Sequence, residues 1–272
     1  MANDWQFSIF FSVQPANLSI SIIICSRSQS EALSVRRNLL GTAKYPNSLE
    51  IIVLDNREKN EGLCAVYNKG VAKASGRVLV FMHEDVWMME KNWDTVLLKK
   101  FKDLPEIQIL GVAGSAYLVD YPYALWAAAG IPWTFGKIVH LMEEKDEFCL
   151  SLYNDRDGDQ EVVVVDGLWF AARKTLFEKC RFDEQTFTKF HFYDLDICMQ
   201  ALEFGKVYVT ADIRVLHKSM GTFKEEWKEW SDIFIQKWKN KLPAYTDIPP
   251  PSNGLLKAGN IDLRGKVKVP RW

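Results

Sequence analysis

SISIIICSRS at residues 19–28, EIIVLDN at 50–56 and RVLVFMHED at 77–85 share one design: a short apolar run that ends abruptly in polar residues. The runs are β-branched and continuous rather than alternating, the pattern of strands buried on both faces of a parallel sheet. Between the first two, residues 30–40 carry apolar side chains at 32, 33, 35, 39 and 40, helical spacing behind a serine cap expected at Ser30. Between the second and third, residues 63–74 are again helical and stop at Ser75-Gly76. Residues 19–82 therefore read as β-α-β-α-β, and right-handed crossovers make these strands neighbours. A fourth run, EVVVV at 161–165, has the same character. The expected class is α/β, with a mainly parallel central sheet flanked by helices.

Beyond residue 82 the alternation becomes irregular. Residues 92–101 read as a helix, 108–113 as a strand, and 117–161 as a long loop rich in Trp, Tyr, Pro and Gly. Residues 173–179 and 195–204 read as helices, with Gly205 stopping the second; 206–209 and 213–216 read as short strands. From Phe223 a helix carries Trp227, Trp230, Phe234 and Trp238 on one side. The last thirty or so residues hold Pro249, Pro250, Pro251 and Gly254 and read as an extended tail.

Composition removes several classes. With 34 basic and 35 acidic side chains the net charge is −1, so no basic excess exists to displace phosphate counterions, and a nucleic-acid partner is not expected. At 48% hydrophobic and 25% charged the chain of 272 residues is globular and large enough for a substantial core. Its 5 cysteines have no CxxC spacing, which argues against a disulfide framework or a structural zinc site and for a reducing cytoplasm. The apolar 5–13 stretch has Asp4 where a signal peptide has a basic flank, and no run reaches a bilayer span.

In an open parallel sheet, ligands bind beyond the carboxyl ends of the strands. Ser26-Arg27-Ser28, Asp55-Asn56 and His83-Glu84-Asp85 follow three consecutive strands and converge on one crevice. The first turn, residues 25–30, holds no glycine, so the G-x-G-x-x-G of a dinucleotide fold is absent, and no G-x-x-x-x-G-K-[ST] occurs.

The order of Ile20 to Asn56, then Asn68-Lys69-Gly70, then VLVFMHEDV resembles the nucleotide-sugar-dependent glycosyltransferases of the GT-A fold, family 2. More narrowly it is similar to the bacterial branch in which Asp-x-Asp is written His-x-Asp. The resemblance covers about residues 19–220 and divides the chain into an extension (1–18), a transferase domain (19–222) and a C-terminal helix and tail (223–272). Within the domain, 19–115 would be the nucleotide-binding half and 116–222 the acceptor half. By that likeness Ser26, Arg27, Asn56 and Asn68 line the nucleotide pocket, Asp55 accepts from the nucleobase imide, Glu84 touches the ribose, and Asp85 reaches the metal at the donor diphosphate. His83 coordinates the metal, contacts a sugar hydroxyl or shapes the turn. A carboxylate plus imidazole would tilt the cofactor towards Mn²⁺ rather than Mg²⁺.

HFYDLDICMQALEFG at 191–205 is similar to the family's Glu-Asp segment at a helix head, with Tyr193 in the place of the Glu and Asp194 on the catalytic base of an inverting enzyme. His217 would be a further metal ligand. Asp166, Gly167 and Trp169, after the 161–165 run, resemble the element under the acceptor and donor sugar, with Asp196, Trp126 and Trp133 as further acceptor-side expectations. The acidic 143–147 stretch belongs to the same variable acceptor segment. The resemblance implies a metal-dependent, inverting transfer from a nucleoside diphosphate sugar, UDP favoured, to a glycan or lipid-linked hydroxyl in bacterial surface polysaccharide synthesis. The expected place is cytoplasmic, with a homo-oligomer contact or peripheral membrane contact through the C-terminal helix as an option. The alternatives are an inactive GT-A domain serving as a binding scaffold, or a sugar nucleotidyltransferase, which the glycine-poor first turn disfavours.

Overall fold

Ile20, Ile22, Ile23 and Ile24 are all buried because their strand, β1 (Ile20–Ser26), lies inside a sheet covered on both faces. The computed structural model describes residues 19–120, 123–142, 147–154, 156–219 and 225–247. The extension at 1–18, residues 143–146 of the acidic stretch, the helix entry at 220–224 and the tail from 248 lie outside the described residues. After β1 come α1 (Gln29–Thr42), β2 (Leu49–Asp55), α2 (Leu63–Lys73) and β3 (Val78–His83). β1 pairs in parallel with both neighbours, Ile20 meeting Leu49 on one side and Val78 on the other. The cap of α1 is Ser28, whose hydroxyl accepts from Glu31 N (3.3 Å), not the expected Ser30. Ser28 is the residue still in extended backbone; Ser30 already lies within the helix. On α2, Gly70 lets helix and sheet close up, since a Cβ there would lie 2.3 Å from Ile23 Cγ2.

The chain continues through β4 (Val86–Met88), α3 (Trp93–Asp103), β5 (Ile107–Gly111), β6 (Ala113–Ser115), β7 (Tyr117–Leu118), β8 (Thr134–Met142) and β9 (Glu147–Asn154). Then follow β10 (Asp159–Val162), β11 (Val164–Val165), β12 (Trp169–Arg173), α4 (Tyr193–Ala201), β13 (Lys206–Thr210), β14 (Val215–His217), α5 (Glu225–Trp238) and β15 (Ala244–Tyr245). The expected 173–179 helix is a short 3-10 turn, Lys174–Glu178.

The seven-stranded sheet has the order β10-β13-β5-β12-β3-β1-β2. It is parallel over β2, β1 and β3 and mixed beyond, because β12 inserts antiparallel between β3 and β5. A second sheet, β11-β6-β8-β14-β4 with β9 on β8, packs beside it. The 161–165 run is not one strand: Val162 pairs with β13 in the first sheet, and Val164 and Val165 pair with β6 in the second. Both halves are buried, so their apolar pattern runs unbroken across the step. The expected 117–161 loop contains the β8–β9 ladder, with Ile138 opposite Ser151 and His140 opposite Cys149.

Phe81 anchors the core, stacked on Phe170 at 5.0 Å and edge-on to Phe182 at 5.0 Å. Removing a ring so enclosed costs about 3–5 kcal/mol. The aromatic side of α5 is covered by the chain itself: Trp227 packs on Tyr123 and Phe192, and Phe234 on Phe187 and Phe192. Trp230 and Trp238 on the same helix are half-buried. Among the described residues no helix is long and apolar enough to cross a membrane.

Candidate active site

Register brings the polar strand ends together. Cys25 pairs with His83 and Ser26 with Asp55, so the carboxyl ends of β1, β2 and β3 lie level. β12 runs the other way, with Trp169 opposite Met82, so Asp166 and Gly167 enter the same crevice from its opposite end. β14 ends there too, with His217 opposite His140 on β8 and Val86 on β4.

His83, Asp85 and His217 each place one ligand atom so that all lie within 4.8 Å of one another. His217 Nε2 is 3.4 Å from Asp85 Oδ2 and 3.1 Å from Ser219 Oγ, while its buried Nδ1 has no partner. An orphaned buried ring nitrogen costs about 1–3 kcal/mol, and a divalent cation would satisfy it. Two imidazoles and a carboxylate are a donor set that fits such an ion. Burial, and next the proximity of His217, push His83 down to about 4, so its ring is neutral at physiological pH. Burial works to raise the Asp85 carboxyl, but the hydrogen bond from His217 and the two imidazoles overcome it and hold Asp85 well below the usual carboxylate range. His83 thus stands neutral and Asp85 ionised, the forms that metals bind.

Asp194, in the first turn of α4, accepts from Gly167 N through Oδ2 (2.8 Å) and from Leu195 N through Oδ1 (3.0 Å). Burial, with the charge of Asp166 behind it, raises its carboxyl to about 7. Asp166 is fixed by Leu168 N (2.9 Å) and by Trp126 Nε1 (3.1 Å). Tyr193 donates to Gly167 O (2.9 Å) and lies 2.8 Å from His83 Nε2, so a hydrogen-bonded path joins the metal-ligand cluster to Asp194. Phe192, just before, holds a left-handed backbone (φ 65°), a strained conformation for a side chain so large.

On the nucleotide side, Glu84 braces the first loop. It accepts from Ser26 Oγ (2.6 Å), Arg27 N (3.0 Å) and Ser28 N (3.1 Å). Asp55 is exposed and gripped by the Arg57 guanidinium, whose hydrogen bond holds the carboxyl low (Nε to Oδ1 2.9 Å). The Asn56 amide closes the 56–61 turn against both backbone groups of Glu61, and Asn68 donates to Phe182 O (2.9 Å).

Two acceptor-side expectations, Asp196 and Trp169, sit elsewhere. Asp196 is buried away from Asp194, accepting from Trp238 Nε1 (2.8 Å) and paired with Lys237 (2.7 Å). Trp169 is wholly enclosed in the core. Trp126 is 6% exposed, its ring edge-on to Tyr153. Trp133 stays half-buried, 6.1 Å from Tyr117. Conversely, the sequence reading missed His140, whose Nδ1 is 3.1 Å from Ser219 O and whose ring lies 5.5 Å from His217. It also missed Phe190, half-exposed and 5.3 Å from the His83 ring. Neither has a motif; only the β8–β14 register and the loop before α4 bring them in.

Residues 21–238 match the model of a glycosyltransferase-like family. A curated relative from Fuscovulum blasticum, ORF 6 of the ATP synthase subunits region, is 24% identical over 204 residues, 73% of this chain and 75% of the relative. The mannosyltransferase PcManGT from Pyrobaculum calidifontis, solved with GDP-Man and Mn²⁺, superposes with a TM-score of 0.52 at 11% identity, over 86% of this chain and 66% of its own. GalNAc-T7, solved with UDP, GalNAc and Mn²⁺, superposes with a TM-score of 0.51 at 12% identity, over 79% of this chain and 46% of its own. At such identity the likeness establishes the fold, and the chain spans less than half the length of the second structure.

Proposed function

Because the chain belongs to the glycosyltransferase-like family, we propose that it moves a sugar, with inversion, from a nucleoside diphosphate to a hydroxyl of a glycan or lipid-linked saccharide. The observation that carries this reading is the His83–Asp85–His217 cluster, joined through Tyr193 and Gly167 to a carboxylate raised to about 7. A divalent cation held by those three residues would supply Lewis-acid neutralisation of the departing diphosphate. Two imidazoles favour Mn²⁺ over Mg²⁺, and both solved relatives named above carry Mn²⁺.

Asp194 takes the proton of the attacking hydroxyl. A base poised near neutrality is ionised often enough to act and basic enough to hold the proton, an effect worth about 10²–10⁴ in rate. Its two backbone donors, Gly167 N and Leu195 N, fix its orientation. Asp55 would exchange Arg57 for a nucleobase imide N–H, which favours uridine; thymidine presents the same edge. Surface polysaccharide synthesis in the cytoplasm is the setting we propose on the family likeness.

The test is a thermal-shift panel of UDP, dTDP, GDP and CMP, each with Mn²⁺, Mg²⁺ or EDTA. A ligand at about a hundred times its Kd adds about 2.7 kcal/mol, which at about 2–4 °C per kcal/mol for a chain of this size raises Tm by about 5–10 °C. One nucleotide that stabilises only with metal supports the reading and names the donor. If none of the twelve combinations shifts Tm, the transferase reading gives way to an inactive scaffold.

A further inference from the structure

Tyr193 stands where its one hydroxyl proton must be shared out between two neighbours. Gly167 O, 2.9 Å away, can only accept, so the Tyr193 proton goes there. The contact at 2.8 Å to His83 Nε2 then needs its proton from the imidazole, and Tyr193 oxygen accepts it. A neutral imidazole carries one proton. With that proton on Nε2, the lone pair available to a metal is on Nδ1. We propose that Tyr193 is a positioning residue: it fixes the His83 tautomer and so presents His83 Nδ1 to the divalent cation. The inference rests on the metal reading above and deepens it.

A second observation supports the arrangement independently. Gly167 serves both sides of the site through one residue, its N–H donating to Asp194 Oδ2 and its carbonyl accepting from Tyr193. There is no room for any side chain in between: a Cβ on Gly167 would lie 2.1 Å from the Tyr193 oxygen and 2.9 Å from Asp194 Oδ2. The ring is also clamped, with Tyr67 edge-on at 5.5 Å and Phe190 at 6.2 Å, so the hydroxyl cannot swing to another partner. Outer partners of this kind orient metal-binding histidines, and losing one typically lowers metal affinity 10–100-fold.

The experiment uses the full chain labelled with ¹⁵N-histidine, metal-free, with His83→Asn serving only to assign the His83 signals. Nitrogen spectra of the wild type are expected to show His83 protonated on Nε2. In Tyr193→Phe the two tautomers should mix, and Mn²⁺ affinity by calorimetry should fall 10–100-fold. Tyr67→Phe is the control: it removes the same hydroxyl from the same buried cluster, where Tyr67 bonds to Met82 O (3.4 Å), and should leave tautomer and affinity alone. A wild-type His83 protonated on Nδ1, or a Tyr193→Phe protein that binds Mn²⁺ as tightly as wild type, overturns the proposal. A wild type that binds no divalent cation overturns the metal reading instead, and the nitrogen spectrum alone then upholds or overturns the tautomer assignment.

Discussion

Replacing Asp194 by Asn should abolish transfer and, above neutral pH, make the protein more stable. The carboxyl is raised from 3.8 to about 7, burial first and the charge of Asp166 second. A group whose acid constant is raised by folding binds more protons in the native state than in the unfolded one. Its contribution is therefore fully present below about pH 4 and is lost as pH climbs to about 7. At 1.36 kcal/mol per unit, about 2–3 kcal/mol of that loss falls between about pH 5 and about pH 8. Asparagine does not titrate, so the variant escapes it. The amide's own mismatch with Gly167 N or Leu195 N is a constant offset and cancels between the two pH values. Urea unfolding of both proteins at the two pH values measures the difference directly. The stability gap should move in favour of Asp194→Asn by about 2–3 kcal/mol on going from the lower pH to the higher. An unchanged gap would show that burial does not penalise this carboxylate, and the poised base would go with it. In the wild type, the logarithm of the transfer rate should rise with unit slope up to about pH 7 and then level off.

Two further substitutions separate binding from architecture. Asp55→Ala should weaken nucleotide binding at least tenfold by calorimetry, yet move Tm little, because the Asp55–Arg57 pair is exposed and such pairs contribute about 0–1 kcal/mol. Asp196→Asn should do the reverse. It touches only the Lys237, Trp238 and Gln200 side of a carboxyl that burial raises, so kcat should stay at the wild-type value. By the same sign as at Asp194, the urea stability gap should move in favour of the Asn protein as pH rises.

How far the sequence could be read follows from what each segment buries. β1 and β3 are enclosed on both faces, so their apolar runs are continuous and the β-α-β-α-β reading holds. Every residue of β9 after Glu147 is half-buried, and such a strand gives neither a run nor an alternation to read. The insertion of β12 between β3 and β5 leaves no mark either, because antiparallel and parallel central strands bury the same residue types. At the site, His83 and Asp85 were singled out at a strand end, and Asp194 and His217 by their order in the family likeness. The fold gathers His83, Asp85 and His217 and links them through Tyr193 and Gly167 to Asp194. The place of Asp196 was not legible, since two residues along a helix turn the side chain to nearly the opposite face, here towards Trp238. His140 lies mid-strand, and only its register with His217 reveals it.

The same desolvation acts in opposite senses on the two halves of this site, and in the proposed transfer that would let one crevice serve two chemistries. Burial strips the proton from His83, a cation when protonated, and keeps it on Asp194, an anion without it. The hydrogen bond from His217 holds the Asp85 carboxylate ionised, while Asp166 beside Asp194 adds like charge and drives it further towards neutrality. A metal pole and a basic pole are thereby separated by the choice of neighbour alone. Gly167 keeps them in fixed relation, because its backbone meets Asp194 on one side and, through Tyr193, His83 on the other. A larger residue at 167 would spread both contacts at once, so the proposed base and the proposed metal ligand should be lost together rather than separately.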